Sequence, residues 1–93
     1  IGPLCLIGPY VEIEDYAQIN NASTIAHHSK IGEGAMISDA SHIGGTVVVE
    51  AGALLGIGVT VNRDLTIGSN STVISGSNVY GNIEPNFNFK NRK

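Results

Sequence analysis

Every sixth residue from Ile1 to Val79 is Ile, Val or Leu, fourteen positions without interruption. A six-residue spacing precesses around a 3.6-residue turn, so no helix places these side chains on one stripe. A second column stands four residues after each aliphatic and is small or apolar throughout: Cys5, Val11, Ala17, Ser23, Ser29, Ala35, Ser41, Val47, Ala53, Val59, Leu65, Ser71, Ser77 and Ile83. The three residues after each aliphatic are rich in chain-reversal types, including Gly8-Pro9, Asn20-Asn21, Gly44-Gly45 and Gly81-Asn82. Each hexad therefore reads as a short strand and a corner, with the aliphatic and the small residue on one inward face and the residue between them pointing out. Hexad repeats of this kind belong to parallel β-helices, in which stacked coils bury one continuous apolar column.

Three hexads per coil make an 18-residue turn, so residues 18 apart stack at about 4.8 Å. The expected fold is all-β, about five such coils. Ile and Val fill so narrow a prism, which moves any site to an outer face, a corner or a seam between chains. Ninety-three residues allow one domain. We expect the repeat body to span residues 1–84 and a capping, basic tail to span 85–93, where Pro85 ends the rule and Phe87 and Phe89 close the open end of the prism. The chain opens on an aliphatic position without an initiator Met, and is expected to be a piece of a longer protein whose upstream segment covers the first strand edge.

The formal net charge is −3, with Lys90, Arg92 and Lys93 supplying three of the five basic residues. The acidic body has only Lys30 and Arg63 to meet phosphates, so nucleic acid is not an expected partner. There is no apolar run of roughly 20 residues and no secretory signal, and no membrane partner is expected. The single Cys5 falls in the inward column and reads as a packed residue, which makes the cytoplasm the expected compartment.

Strong imidazole chemistry is concentrated at one corner, Ile25-Ala26-His27-His28-Ser29. By the stacking rule His27 lies over Pro9 and under Gly45, and His28 lies between Tyr10 and Thr46. Adjacent histidines at a turn are expected to splay apart, so that one addresses a given groove. A histidine near its ordinary pKa of about 6.5 serves as a base at neutral pH, and bare backbone beside it offers an N–H to an oxyanion, the pairing acyl transfer requires. Spacing alone equally fits two solvent-exposed corner histidines without a role.

The hexads, with Asn20, the block Ile25-Ala26-His27-His28-Ser29-Lys30-Ile31-Gly32-Glu33, Gly44-Gly45 and Leu55-Gly56-Ile57-Gly58, resemble the C-terminal left-handed β-helix of sugar O- and N-acyltransferases of the sialic acid O-acetyltransferase group, which includes UDP-4-amino-sugar N-acetyltransferases. The resemblance covers nearly all of the repeat region. It implies a left-handed coil, against the general preference for right-handed parallel crossovers. It implies acetyl-CoA as acyl donor, a sugar or nucleotide-sugar acceptor, and no metal. His27 becomes the general base; the Gly45 N–H holds the thioester oxygen; Ile57 and Ser75 line the pantetheine path; Asn20 lies on the acceptor side; His28, this chain's own departure, is a second catalytic candidate that orients His27 by a hydrogen bond. It further implies a homotrimer with sites in grooves between adjacent chains, and an N-terminal nucleotide-sugar-binding domain that this chain lacks.

The chain departs from that pattern at three places. His28 stands where the family usually has Asp or Glu, leaving Glu33 or Asp39 as substitutes. Met36 stands where some members have a second histidine, and Phe87-Asn88-Phe89-Lys90-Asn91-Arg92-Lys93 replaces the usual closing turn, with the basic tail a partner for the ADP phosphates of CoA. A catalytically inactive trimeric scaffold, or a fragment lacking the acceptor-binding domain, fits the same residues. His27, His28 and His42 lack the spacing of a zinc site, and the threonines form no Thr-x-Thr array for binding ice.

Overall fold

The structure, a computed structural model, describes residues 1–90. These form a parallel β-solenoid of about five coils of 18 residues, without a helix, consistent with a left-handed β-helix. Each strand is two residues long and ends on the aliphatic of its hexad, from Leu6–Ile7 to Asn78–Val79. On the first face Ile7, Ile25, Ile43, Val61 and Val79 pair in parallel register, 18 residues apart. The second face stacks Ile13, Ile31, Val49 and Ile67, and the third stacks Ile19, Ile37, Leu55 and Val73. About five coils at a 4.8 Å rise give a rod of about 24 Å, in keeping with a longest extent of 27 Å.

From Ile19 to Val79 the aliphatic column is completely buried. Ile1, in contrast, is 74% exposed, and Ile7 also stands open, because no described residue stacks beneath them. Serines are tolerated in the inward column because each hydroxyl is satisfied at the corner beside it. Ser23 donates to the Ser38 carbonyl at 2.9 Å and accepts the Ser41 N–H at 3.3 Å. Ser41 repeats the arrangement with Gly56 and Val59. No buried side-chain polar atom lacks a partner among the described residues.

The corners turn through the left-handed backbone region at every sixth residue. Glycine supplies that conformation at Gly34, Gly52, Gly58 and Gly76, but Leu4, Tyr10, Tyr16, Ala22, His28, Ala40, Thr46, Asp64 and Asn70 adopt it as well, with φ between 56° and 64°. The coil geometry thus overrides a residue preference of about 1–2 kcal/mol per position.

The last coil is two residues short. Ile83 was expected in the small column, but it bridges Ile67, only 16 residues away, and takes an aliphatic place. The next strand, Asn88–Phe89, pairs with Thr72–Val73, so Phe89 stacks on Val73 at the end of the third face. Phe89 packs against the core, whereas Phe87 stays 50% exposed. Of the basic tail, Lys90 is described and exposed; Asn91, Arg92 and Lys93 lie outside the described residues.

Candidate functional site

His27 sits on the corner that follows Thr24–Ile25, between the first and second faces. Its carbonyl accepts the Thr46 N–H of the next coil at 2.9 Å, and the His28 N–H donates to the Pro9 carbonyl of the preceding coil at 3.1 Å. These bonds clamp the corner above and below. The two histidines do not splay apart. With φ of 60°, His28 turns its ring back so that Nδ1 of His27 and Nδ1 of His28 lie 3.1 Å apart, the ring planes at 84°. The left-handed corner, absent from a simple view of adjacent side chains, is the physical reason.

Two facing Nδ1 atoms at this distance hold one proton between them, carried by one ring and accepted by the other. The tautomers of the two rings are therefore linked. Tyr10, one coil below, stacks on His28 with ring centroids 5.0 Å apart and planes at 24°. The stacking rule brought Tyr10 to this place, but the sequence carried no further sign that it engages His28.

The other edge of the His27 ring lies against Gly45. A Cβ at position 45 would come within 2.7 Å of His27 Nε2 and 2.9 Å of Cε1. The corner at Gly45 is fixed on both sides by Ser29, whose hydroxyl donates to the Gly44 carbonyl at 2.8 Å and accepts the Val47 N–H at 3.1 Å. The Gly45 carbonyl accepts the Asp64 N–H at 3.0 Å, while the Gly45 N–H donates to no acceptor among the described residues. A ring nitrogen and a backbone donor thus stand at one exposed corner, cleared of side chains.

The remaining candidates occupy the adjoining corner, between the third and first faces. Ile57 is exposed there, its N–H donating to Ser75 Oγ at 3.0 Å and its carbonyl accepting the Gly76 N–H at 2.8 Å. Ser75 also lines an open groove of about 430 Å³ with Leu54, Gly56, Thr72, Phe89 and Lys90. Asn20 is on the same corner, two coils away from Ile57. Its N–H donates to the Ile37 carbonyl at 2.9 Å, and its own carbonyl accepts the Cys5 thiol at 2.9 Å.

The chain therefore brings His27, His28 and Gly45 together, and Ile57 and Ser75 together, but keeps the two groups apart by the whole first face. His42 lies on that face, its Nδ1 2.8 Å from Thr24 Oγ1. Glu33 and Asp39 stand on the other two corners, so neither replaces the acidic partner of His27; Asp39 Oδ1 instead accepts the Asn21 N–H at 3.2 Å. Met36 pairs with Leu54 on the third face. Among the described residues no three His, Cys, Asp or Glu side chains gather as metal ligands, and no helix is long and apolar enough to cross a membrane.

No protein-family model matches the chain, nor does any curated protein. Among solved structures it is similar to WeeI from Acinetobacter baumannii AYE, at 17% identity and a TM-score of 0.46, over 88% of this chain and 50% of that one. It is also similar to PerB from Caulobacter crescentus, determined in complex with CoA and GDP-perosamine, at 19% identity and a TM-score of 0.38, over 87% of this chain and 48% of that one. The chain spans about half the length of each.

Proposed function

We propose that the chain is the β-helical part of an acyltransferase that moves an acetyl group from acetyl-CoA to an amino or hydroxyl group of a sugar or nucleotide sugar. The observation that carries this reading is the apposition of His27 Nε2 to the bare backbone of Gly45, whose N–H donates to no acceptor among the described residues. The sequence likeness of the His27 block to sugar acyltransferases of the sialic acid O-acetyltransferase group supports it.

In this reading the donor supplies a thioester carbonyl. His27 Nε2 takes the proton from the acceptor N–H or O–H as the new bond to that carbonyl forms. The Gly45 N–H donates to the oxygen on which negative charge develops. His27 then returns the proton to the departing sulfur as the C–S bond breaks, leaving acylated acceptor and CoA thiol. His28 acts through His27: its Nδ1 accepts from the His27 Nδ1–H, a bond that strengthens once the His27 ring carries charge. A neutral imidazole thereby does part of what a carboxylate does in this place. Glycine at residue 45 lets the His27 ring pack against its bare backbone, and the open groove beside Ser75 gives an extended donor a path along the third face.

Ile57, Ser75 and Asn20 complete the site from a neighbouring copy in a homotrimer, since the two corners do not meet in one chain. The acceptor is oriented largely by a separate nucleotide-sugar-binding domain, and the cytoplasm supplies the donor. The test is thiol release from acetyl-CoA with amino-sugar and sialic acid acceptors, using the intact protein. His27→Ala is expected to lower turnover by about 10²-fold or more, as for loss of a general base. Unchanged thiol release in that variant rejects the assignment.

A further inference from the structure

We propose that Tyr10 is a positioning residue: it holds His28 so that the proton shared by the two histidines resides on His27 Nδ1 and leaves His27 Nε2 as the open base. This rests on the acyltransferase reading for the direction of the proton, but the clamp itself rests on geometry. His28 lies in a left-handed corner, and among the described residues its side chain makes no hydrogen bond except the one to His27. Its ring is otherwise exposed to solvent, and besides the His27 ring it meets, among the described residues, the face of Tyr10, 5.0 Å away and at 24°. Without that face, rotation about the His28 side chain separates the two Nδ1 atoms, and His27 loses the acceptor that selects its tautomer.

Tyr10 also acts on charge. When His27 takes a proton at Nε2, the pair holds three ring protons, and the one between the Nδ1 atoms is shared by an imidazolium and an imidazole. Positive charge that reaches His28 lies within about 6 Å of the tyrosine ring face, the range of a cation–π contact. The exposed stack thus stabilises the charged pair from one coil below, on the side away from Gly45. Among the described residues no hydrogen bond engages the Tyr10 hydroxyl, so the ring is the part that acts.

The test is ¹⁵N NMR of the imidazole nitrogens of the whole chain, with Tyr10→Phe, Tyr10→Ala and Tyr10→Gly variants. Tyr10 has φ of 61°, and glycine adopts this without strain, so Tyr10→Gly removes the ring while favouring the folded corner. In the parent, above the pH at which the pair takes up a proton, His27 is expected as the Nδ1–H tautomer and His28 as the Nε2–H tautomer. Tyr10→Phe keeps these signals; Tyr10→Ala and Tyr10→Gly give mixed tautomers at His27 and lower acyl-transfer turnover by up to about 10²-fold, with donor KM unchanged. Parent-like tautomers in the alanine and glycine variants, or a parent His27 protonated at Nε2, overturn the proposal. The NMR readout needs no substrate. An inactive parent with the expected tautomers therefore defeats the acyltransferase reading while leaving the clamp in place.

Discussion

His27 Nε2 occupies the space into which a side chain on Gly45 would grow, 2.7 Å from where its Cβ would stand. Gly45 is not among the corner residues with positive φ, so its backbone would accept alanine. The imidazole one coil below is what requires glycine here. Gly45→Ala is expected to push the exposed His27 ring out of its place and leave the prism intact. Acyl-transfer turnover should fall by about 10²-fold, while stability shifts by no more than about 1 kcal/mol. Thiol-release kinetics and a thermal melt check the two halves. Full activity in this variant would detach Gly45 from the chemistry.

The inward column makes the opposite kind of prediction. Ile31 is fully buried in the middle of the second face, between Ile13 and Val49. Ile31→Asp places a carboxylate in the column without a partner and should cost several kcal/mol, unfolding several coils together. His42, outward on the first face with its ring bonded to Thr24, is the contrast: His42→Gln should leave the stability within about 0.5 kcal/mol of the parent. An unmoved melting temperature in Ile31→Asp would show that the column is not the core.

Thr46 carries strain that the fold imposes. It is a β-branched residue with φ of 56° at the corner just after Gly45. The left-handed backbone costs such a residue about 1–2 kcal/mol, and glycine returns about 0.4–1 kcal/mol of that to the unfolded chain. Thr46→Gly should therefore stabilise by up to about 1 kcal/mol. Asp64, one coil above with φ of 62°, belongs to a type that tolerates this region better, so Asp64→Gly should gain less. Denaturant melts of the two variants side by side give the comparison, and equal or reversed gains would mean that strain is not what separates them.

The contrast between Ile31 and Thr46 marks what the sequence discloses. The aliphatic register is written in residue types with a fixed period, and so the three faces, the 18-residue stacking and the placement of His27 beneath Gly45 were all legible. The left-handed corners were not, because most are occupied by residues such as Thr46, Ala40 and Leu4 that carry no preference for them. That is why the sequence does not disclose the turned ring of His28 or its contact with His27. The slip at the last coil escaped for a different reason. Ile83 fits both the small column of a continued register and the aliphatic column of a shortened one, and only the six-residue step from Ile83 to Phe89 tells them apart. The grouping of candidates into two corners follows from counting three hexads per coil, yet which corners meet across a seam depends on another chain.

That seam yields a prediction of its own. The His27 corner and the Ser75 corner lie at opposite edges of the first face, so a site using both draws them from two copies. Take chains carrying His27→Ala and chains carrying Ser75→Phe, the second filling the open groove without touching the buried column. Each variant alone should be inactive. If the chain assembles as the proposed homotrimer, chains unfolded together and refolded form mixed rings in which some seams join the intact His27 corner of one chain to the intact Ser75 corner of another. With random assortment in a closed cyclic assembly, about a quarter of the seams are whole, and about a quarter of the parent activity should return. Failure to recover any activity from mixed, assembled rings would mean that each chain uses its own two corners or only one of them, and the shared site would have to be abandoned.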